Sequence, residues 1–79
     1  HSNSLDRALD GVRELDAAVA EVLEFASRRR DTLVLITADH DTGIPTIVDG
    51  TFDSASAEIR WVSDDHTATW VPLFASGRR

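Results

Sequence analysis

The apolar run at residues 32–37 constrains the fold most, because every position is β-branched or leucine and none breaks the pattern with a charge. A strand without a polar face is typical of strands buried on both sides, as in a parallel sheet. The segment Thr-Ala-Asp-His-Asp-Thr-Gly follows at residues 37–43, and open α/β sheets build sites at the carboxyl ends of their strands. The pattern predicts an α/β fold with a site at Asp39 and His40.

A long helix is predicted before this strand, over residues 4–30. Apolar side chains recur at helical spacing from Leu5 to Ala26, with charged side chains opposite them. Asn3 or Ser4 can cap the start, and the arginines at 28–30 fit the end of a helix, where positive charge complements its dipole. The helix would cover one side of the strand, and no other element is an obvious cover for the second. Residues 1–79 are therefore interpreted as a single fragment of a larger sheet domain.

The rest of the chain predicts shorter strands. Residues 46–48 and 58–62 flank a turn-rich stretch at 49–56, which favours a hairpin. Residues 69–75 form a second apolar run with Pro72 inside it. Because proline cannot donate to a ladder, this final strand is expected to lie at an edge or to carry a bulge.

Composition excludes several classes of function. The net charge of −6 argues against nucleic acid as a partner, because phosphate backbones recruit basic surfaces. No stretch approaches the roughly 18 apolar residues of a membrane span, and no signal peptide is visible. The chain has no cysteine, so a metal site here would use oxygen and imidazole ligands. All three histidines, His1, His40 and His66, fall at predicted loop positions.

Three blocks of the sequence resemble the alkaline phosphatase family. Residues 37–43 resemble its Thr-Ala-Asp-His-Glu-Thr-Gly signature, and Asp-His-Thr-Ala at 65–68 with the following strand resembles its later His-Thr motif. The opening His-Ser-Asn and the helix after it resemble a third block. The blocks occur in the family's order and cover essentially all 79 residues. The implied fold is a partial alkaline-phosphatase-like α/β sheet with one long N-terminal helix, a central apolar strand, a hairpin and a final strand.

The resemblance implies a two-zinc site that hydrolyses phosphate monoesters through a phosphoserine intermediate. Asp39 and His40 would bind the zinc that holds the nucleophile's oxygen, and His66 and His1 would bind the partner zinc. Magnesium belongs to the intact family, but its ligands are not expected in this chain. The resemblance also suggests a periplasmic or extracellular location and allows a homodimer of the intact protein.

Departures from the family pattern define what this chain would lack. None of its serines lies in a context resembling the nucleophile motif, so no catalytic residue is assigned and the chain alone is expected to be inactive. The family usually has a second glycine where this chain has Ile44, which leaves open a different path for the loop. Two alternatives remain: a manganese-dependent phosphoglycerate mutase-like member of the same superfamily, or a non-catalytic zinc-binding fragment.

Each candidate residue also has a plain structural interpretation. Asp39 and His40 could form an ordinary turn, His66 could be a polar loop residue, and His1 could be a frayed end or the remnant of a tag. The remaining candidates are expected to have supporting roles: Asp41, Asp64 and Asp65 solvated or orienting a histidine, Trp61 and Trp70 packed, and Arg60 on a solvated face.

Overall fold

The computed structural model describes residues 1–50 and 57–77 of the chain. The elements occur in the order α1 (Leu5–Ser27), β1 (Leu33–Thr37), β2 (Asp41–Thr42), β3 (Pro45–Gly50), β4 (Ala57–Trp61), β5 (His66–Thr67) and β6 (Leu73–Gly77). Within the described residues, β1 pairs with β6, β2 with β5 and β3 with β4, each pair antiparallel. One long helix followed by short strands confirms the predicted partial α/β fold.

The described residues divide into two compact units. The first comprises His1–Leu5 and the described part of Asp39–Val71, and it holds all three histidines. The second comprises Asp6–Ala38 and residues 72–77, and it holds most of α1 together with β1 and β6. The candidate site of the sequence therefore belongs to the first unit alone.

Helix α1 is shorter than the prediction at its carboxyl end. It ends at Ser27, whose hydroxyl donates to the carbonyl of Glu24 at 2.7 Å. The arginines at 28–30 therefore follow the helix, and two of them form ion pairs, Arg28 with Glu24 and Arg29 with Asp31.

The pKa of Asp31 lies below its usual value of 3.8. The main cause is the hydrogen bonding of the Arg29 guanidinium to the carboxylate, and the hydroxyl of Thr32 adds to it.

The second unit is built on a ribbon of β1 and β6. Its register runs from Leu33 opposite Gly77 to Thr37 opposite Leu73. Val34, 7% exposed, is the buried apolar residue of the described chain. Leu33 and Leu35 alternate with it and are 63% and 59% exposed, so the ribbon is covered on one face only. Cover on one face agrees with the expectation that this chain has no obvious cover for the second face of the strand. The pairing of β1 with β6 is antiparallel, so the parallel arrangement suggested by the unbroken apolar run is wrong within the described residues.

An apolar groove lies between α1 and this ribbon. It has a volume of about 360 Å³, and its lining side chains include Val12, Leu15 and Leu23 of the helix and Ile36 and Phe74 of the strands. These helix positions belong to the apolar stripe of the sequence. The helix thus faces one side of the ribbon across an open groove, and its cover is partial, since Val12 and Leu15 are still 62% and 55% exposed.

Pro72 sets the start of the final strand. Strand β6 begins one residue later, at Leu73, whereas the sequence placed the strand at 69–75. Pro72 has no N–H to donate to a ladder. Its carbonyl accepts a hydrogen bond from Oγ1 of Thr37 at 2.9 Å. The strand is therefore displaced toward the carboxyl end of the chain.

The predicted hairpin is confirmed. Strands β3 and β4 pair from Pro45 opposite Trp61 to Gly50 opposite Ala57, with a shift of register between Ile47 and Asp49. Most of the turn-rich stretch predicted at 49–56 lies outside the described residues.

A membrane-spanning helix needs about 20 mostly apolar residues. No helix within residues 1–50 and 57–77 meets that requirement.

Candidate metal site

A two-residue ladder joins the two histidine motifs in the first unit. Strands β2 and β5 pair Asp41 with Thr67 and Thr42 with His66. His40 immediately precedes β2, so the ladder places it beside His66 although 26 residues separate them in the sequence. The pairing of β2 with β5 therefore brings the Asp-His motifs at 39–40 and 65–66 together.

The three imidazole rings of the chain gather at this ladder. The rings of His40 and His66 are stacked, with centroids 3.6 Å apart and planes 25° apart. The ring of His1 lies 4.7 Å from that of His66 and 6.4 Å from that of His40. Two zinc ions about 4 Å apart, each about 2.1 Å from a nitrogen, allow at most roughly 8 Å between nitrogens of different ions. The stacked pair lies well within that limit.

The two Asp-His dipeptides have the same local geometry. Oδ1 of Asp39 accepts the backbone N–H of His40 at 3.0 Å, and Oδ1 of Asp65 accepts that of His66 at 2.8 Å. This bond turns each carboxylate back toward its histidine. In both motifs one carboxylate oxygen therefore holds the backbone of the following histidine.

Polar contacts of Nδ1 with Asp41 and Thr42 orient the ring of His40. Nδ1 lies 3.0 Å from the carbonyl of Asp41 and 3.3 Å from Oγ1 of Thr42. Because a carbonyl only accepts, Nδ1 must carry the proton, and the lone pair of the neutral ring is then on Nε2. Metal-ligating histidines are usually held in this way, by a carbonyl or carboxylate on the nitrogen that does not bind the ion.

The second oxygen of Asp39 lies next to that lone pair. Its Oδ2 is 3.4 Å from Nε2 of His40. Two ligands bonded at about 2.0–2.1 Å to one tetrahedral zinc ion are about 3.4 Å apart. The chemistry and the spacing of this pair therefore fit a shared ion.

The carboxylate of Asp41 is hydrogen-bonded within the site and is not simply solvated. Its Oδ2 accepts hydrogen bonds from Oγ1 of Thr67 at 2.7 Å and from the N–H of Ile44 at 3.3 Å. Asp41 was expected to be solvated or to orient a histidine, and its carbonyl indeed contacts the ring of His40. Sequence reasoning missed the partner Thr67, although it stands directly after His66 in the second motif.

Gly43 and Ile44 form a tight turn after the first motif. Gly43 has a φ of +82°, and a Cβ there would lie 2.8 Å from Cε3 of Trp61. Ile44 has a φ of +43°, so the left-handed backbone that favours glycine is adopted here by a β-branched residue. The carbonyl of Gly43 also accepts the N–H groups of Val62 and Ser63. Trp61 is thus a packing residue, as expected.

Asn3 holds the first residues of the chain against the second motif. Its Nδ2 donates to the carbonyl of Ser63 at 3.1 Å, and its φ is +49°. The side chain is therefore used for this long-range bond, two residues from His1. Its Oδ1 is buried without a hydrogen-bond partner.

Other parts of the prediction are limited or corrected by the structure. Among the described residues, no three Asp, Glu or His side chains are arranged to hold a single ion, so the ligand roles of the four candidates stay a prediction. Trp70, expected to pack, is 97% exposed. Arg60 is exposed on β4, in agreement with a solvated face.

Comparison with known proteins gives the family. Residues 1–57 match the family model for alkaline phosphatase, a range that contains His1, Asp39 and His40 but ends before His66. Alkaline phosphatase 4 of Bacillus subtilis (strain 168) is 36% identical over 61 residues, which cover 77% of this chain and 12% of that protein. No solved structure matches the chain significantly. With most of its length matched, the chain belongs to the alkaline phosphatase family.

Proposed function

We propose that this chain carries part of the two-zinc site of a phosphate monoester hydrolase of the alkaline phosphatase type. Asp39 and His40 would hold one ion, and His1 and His66 the other. The observation that carries the proposal is the 3.4 Å separation of Oδ2 of Asp39 and Nε2 of His40, which suits two ligands of one tetrahedral ion.

The second pair has a compatible arrangement. The rings of His1 and His66 have centroids 4.7 Å apart and are tilted by 51°. Two imidazoles on one tetrahedral zinc have centroids about 5 Å apart. The ring centroids of His66 and His40 lie 3.6 Å apart, which is compatible with one ring binding each of two neighbouring ions.

The chemistry divides between the metal and the chain. A bound pair of zinc ions supplies a clamp for the attacking and leaving oxygens of phosphoryl transfer. The residues of the chain hold and orient the ligands: the carbonyl of Asp41 fixes the ring of His40, and the ladder of β2 and β5 fixes the two motifs against each other.

The chain spans only 12% of the length of the relative it matches, so the whole activity is a proposal for a larger protein. Each ion would receive two ligands here, whereas catalytic zinc sites have three protein ligands. The remaining ligands, the nucleophilic serine and the magnesium site would come from other segments. The substrate class is a phosphate monoester, and the periplasmic or extracellular location and the homodimer stay predictions.

The phosphatase is preferred to the alternatives. Both the family model and the curated relative carry the alkaline phosphatase name, which supports it over a phosphoglycerate mutase. A zinc-binding chain without any catalytic role is an outcome that the experiment below separates.

Zinc titration of the 79-residue chain by calorimetry tests the metal site. We expect binding in the chain itself and at least tenfold weaker binding in His40→Ala and Asp39→Asn. Asp64→Asn is the matched control, because Asp64 is an exposed aspartate of the second motif segment. An absence of zinc binding, or equal binding by all variants, would contradict the metal site.

A chromogenic phosphomonoester with zinc and magnesium tests the assignment of the chain as one part of an enzyme. We expect no turnover by the chain alone. Turnover that disappears in His40→Ala would show that the chain is catalytically complete. Turnover that survives in this variant would point to a contaminating phosphatase.

A further inference from the structure

The side chain of Asp41 connects the two histidine motifs directly. Both of its described side-chain hydrogen bonds end on Oδ2, one from Oγ1 of Thr67 at 2.7 Å and one from the N–H of Ile44 at 3.3 Å. The first bond spans 26 residues of sequence and reaches the residue that follows His66. The second closes the turn that follows the first motif.

The direction of these bonds is fixed by chemistry. A carboxylate only accepts, so Thr67 donates its hydroxyl proton to Asp41. The Thr67 hydroxyl in turn accepts the backbone N–H of Thr69 at 3.3 Å. Asp41 is half-buried, which shields the bond from competition with water.

The backbone of the same residue reaches the other histidine. The carbonyl of Asp41 accepts Nδ1 of His40 at 3.0 Å. Asp41 thus contacts the ring of His40 through its main chain and Thr67, the residue after His66, through its side chain. The ladder between the two motifs has only two residue pairs, and backbone bonds between Gly43 and residues 62, 63 and 65 extend the contact on one side of it. The bond from Thr67 to Asp41 adds a side-chain link next to the histidines themselves.

We propose that Asp41 is a positioning residue, which sets the separation of the His40 and His66 rings through its carboxylate bond to Thr67. The inference rests on the proposed function only where it treats the two rings as parts of a metal site. The separation of the rings can be measured in the chain without added zinc.

Four substitutions isolate the bond. Asp41→Ala removes the acceptor, whereas Asp41→Asn keeps an oxygen that can accept both donors at the same position. Thr67→Val removes the hydroxyl with little change of shape, whereas Thr67→Ser keeps it. Asp64→Ala is the matched control, since it removes an exposed carboxylate two residues before His66.

The first measurement is the nuclear Overhauser effect between the ring protons of His40 and His66 in the metal-free 79-residue chain. We expect clear cross-peaks in the parent chain, in Asp41→Asn, in Thr67→Ser and in the control. In Asp41→Ala and Thr67→Val we expect them to weaken severalfold or disappear. Cross-peaks along the β3–β4 ladder check that each variant keeps its fold, and if Asp41→Ala loses them, the Thr67 pair decides.

The second measurement is the zinc affinity of the same variants. We expect Asp41→Ala and Thr67→Val to bind zinc about ten- to a hundredfold more weakly, and both conservative variants to recover most of that loss. If the ring cross-peaks depend on Asp41 but the parent chain binds no zinc, the proposed function is overturned and the positioning role stands. If the cross-peaks are absent in the parent chain, or persist in both Asp41→Ala and Thr67→Val, the positioning role is overturned whether or not zinc binds.

Discussion

The indole of Trp61 covers Gly43 so closely that a Cβ on the glycine would lie 2.8 Å from Cε3 of the ring. The same Cβ would lie 3.0 Å from Oδ1 of Asn3. The turn after the first Asp-His motif is therefore packed against the end of β4 and against the amino-terminal segment. Both the lack of space for a side chain and the φ of +82° therefore favour glycine at position 43.

Gly43→Ala should lower the free energy of unfolding by about 2–4 kcal/mol, because it combines a positive φ with a steric overlap. Gly11→Ala is the control, since a Cβ at Gly11 meets nothing within 4 Å in the middle of α1. That change should stabilise the helix by about 1 kcal/mol. Urea unfolding followed by circular dichroism measures both, and equal effects of the two substitutions would contradict the close packing at Gly43.

Ile44→Gly should lower the free energy of unfolding less than Ile59→Gly does. The difference between the two variants should be about 1–2 kcal/mol. Both isoleucines are half-buried in the first unit, so each variant loses a partly buried apolar side chain. Only Ile44 has a positive φ, at +43°, and its replacement by glycine releases that strain. Thermal unfolding of the two variants side by side is the measurement, and a greater loss at position 44 would argue against stored strain.

Val34→Ala should destabilise the second unit by about 1–3 kcal/mol through lost burial and an incompletely filled space. Val34 is 7% exposed, whereas its neighbour Leu35 is 59% exposed on the other face of the ribbon. Leu35→Ala should change stability by no more than about 0.5 kcal/mol. Hydrogen exchange of the β1 and β6 amides measures the effect, and the one-sided cover of the ribbon is wrong if the two substitutions are equivalent.

The carboxyl group of Asp31 should titrate below its usual pKa of 3.8, because Arg29 and then Thr32 donate to its ionised form. A lowered folded-state pKa means that this stabilisation is present above pH 3.8 and is lost as the pH falls through the lower folded value. Arg29→Gln should move the titration midpoint of Asp31 back toward 3.8, as followed by carbon NMR of the carboxyl group.

Arg13→Gln is the control for this titration. Arg13 forms its ion pair with Asp10 inside α1, away from Asp31 in the sequence. It should leave the Asp31 midpoint in place. A midpoint that shifts equally in both variants would indicate a general change of charge rather than the specific pair.

Much of the fold follows from the sequence, for reasons that particular residues make clear. The stripe from Leu5 to Ala26 has the period of a helix, and the helix is present from Leu5 to Ser27. The hairpin was also predicted. Residues 32–37 were predicted as a strand, but periodicity gives no partner, and β1 pairs antiparallel with a ribbon partner that begins only after Pro72.

The candidate site was predicted in part. The residue types and strand-end position of Asp39 and His40 identified the motif, and family order added His66 and His1. The sequence could not give the pairing of β2 with β5, because two residues are too few for any periodic pattern. The bond from Thr67 to Asp41 depends on that pairing, so it was beyond sequence reasoning as well.

The shortness of the β2–β5 ladder has a consequence for the dynamics of the chain. Two residue pairs can separate in a local opening without unfolding the β1–β6 ribbon or the main part of α1, which belong to the other unit. Amides of this ladder should therefore exchange with solvent faster than those of β1 and β6. A ligand that bridges the histidines would slow that exchange selectively, since it would stabilise only the closed form.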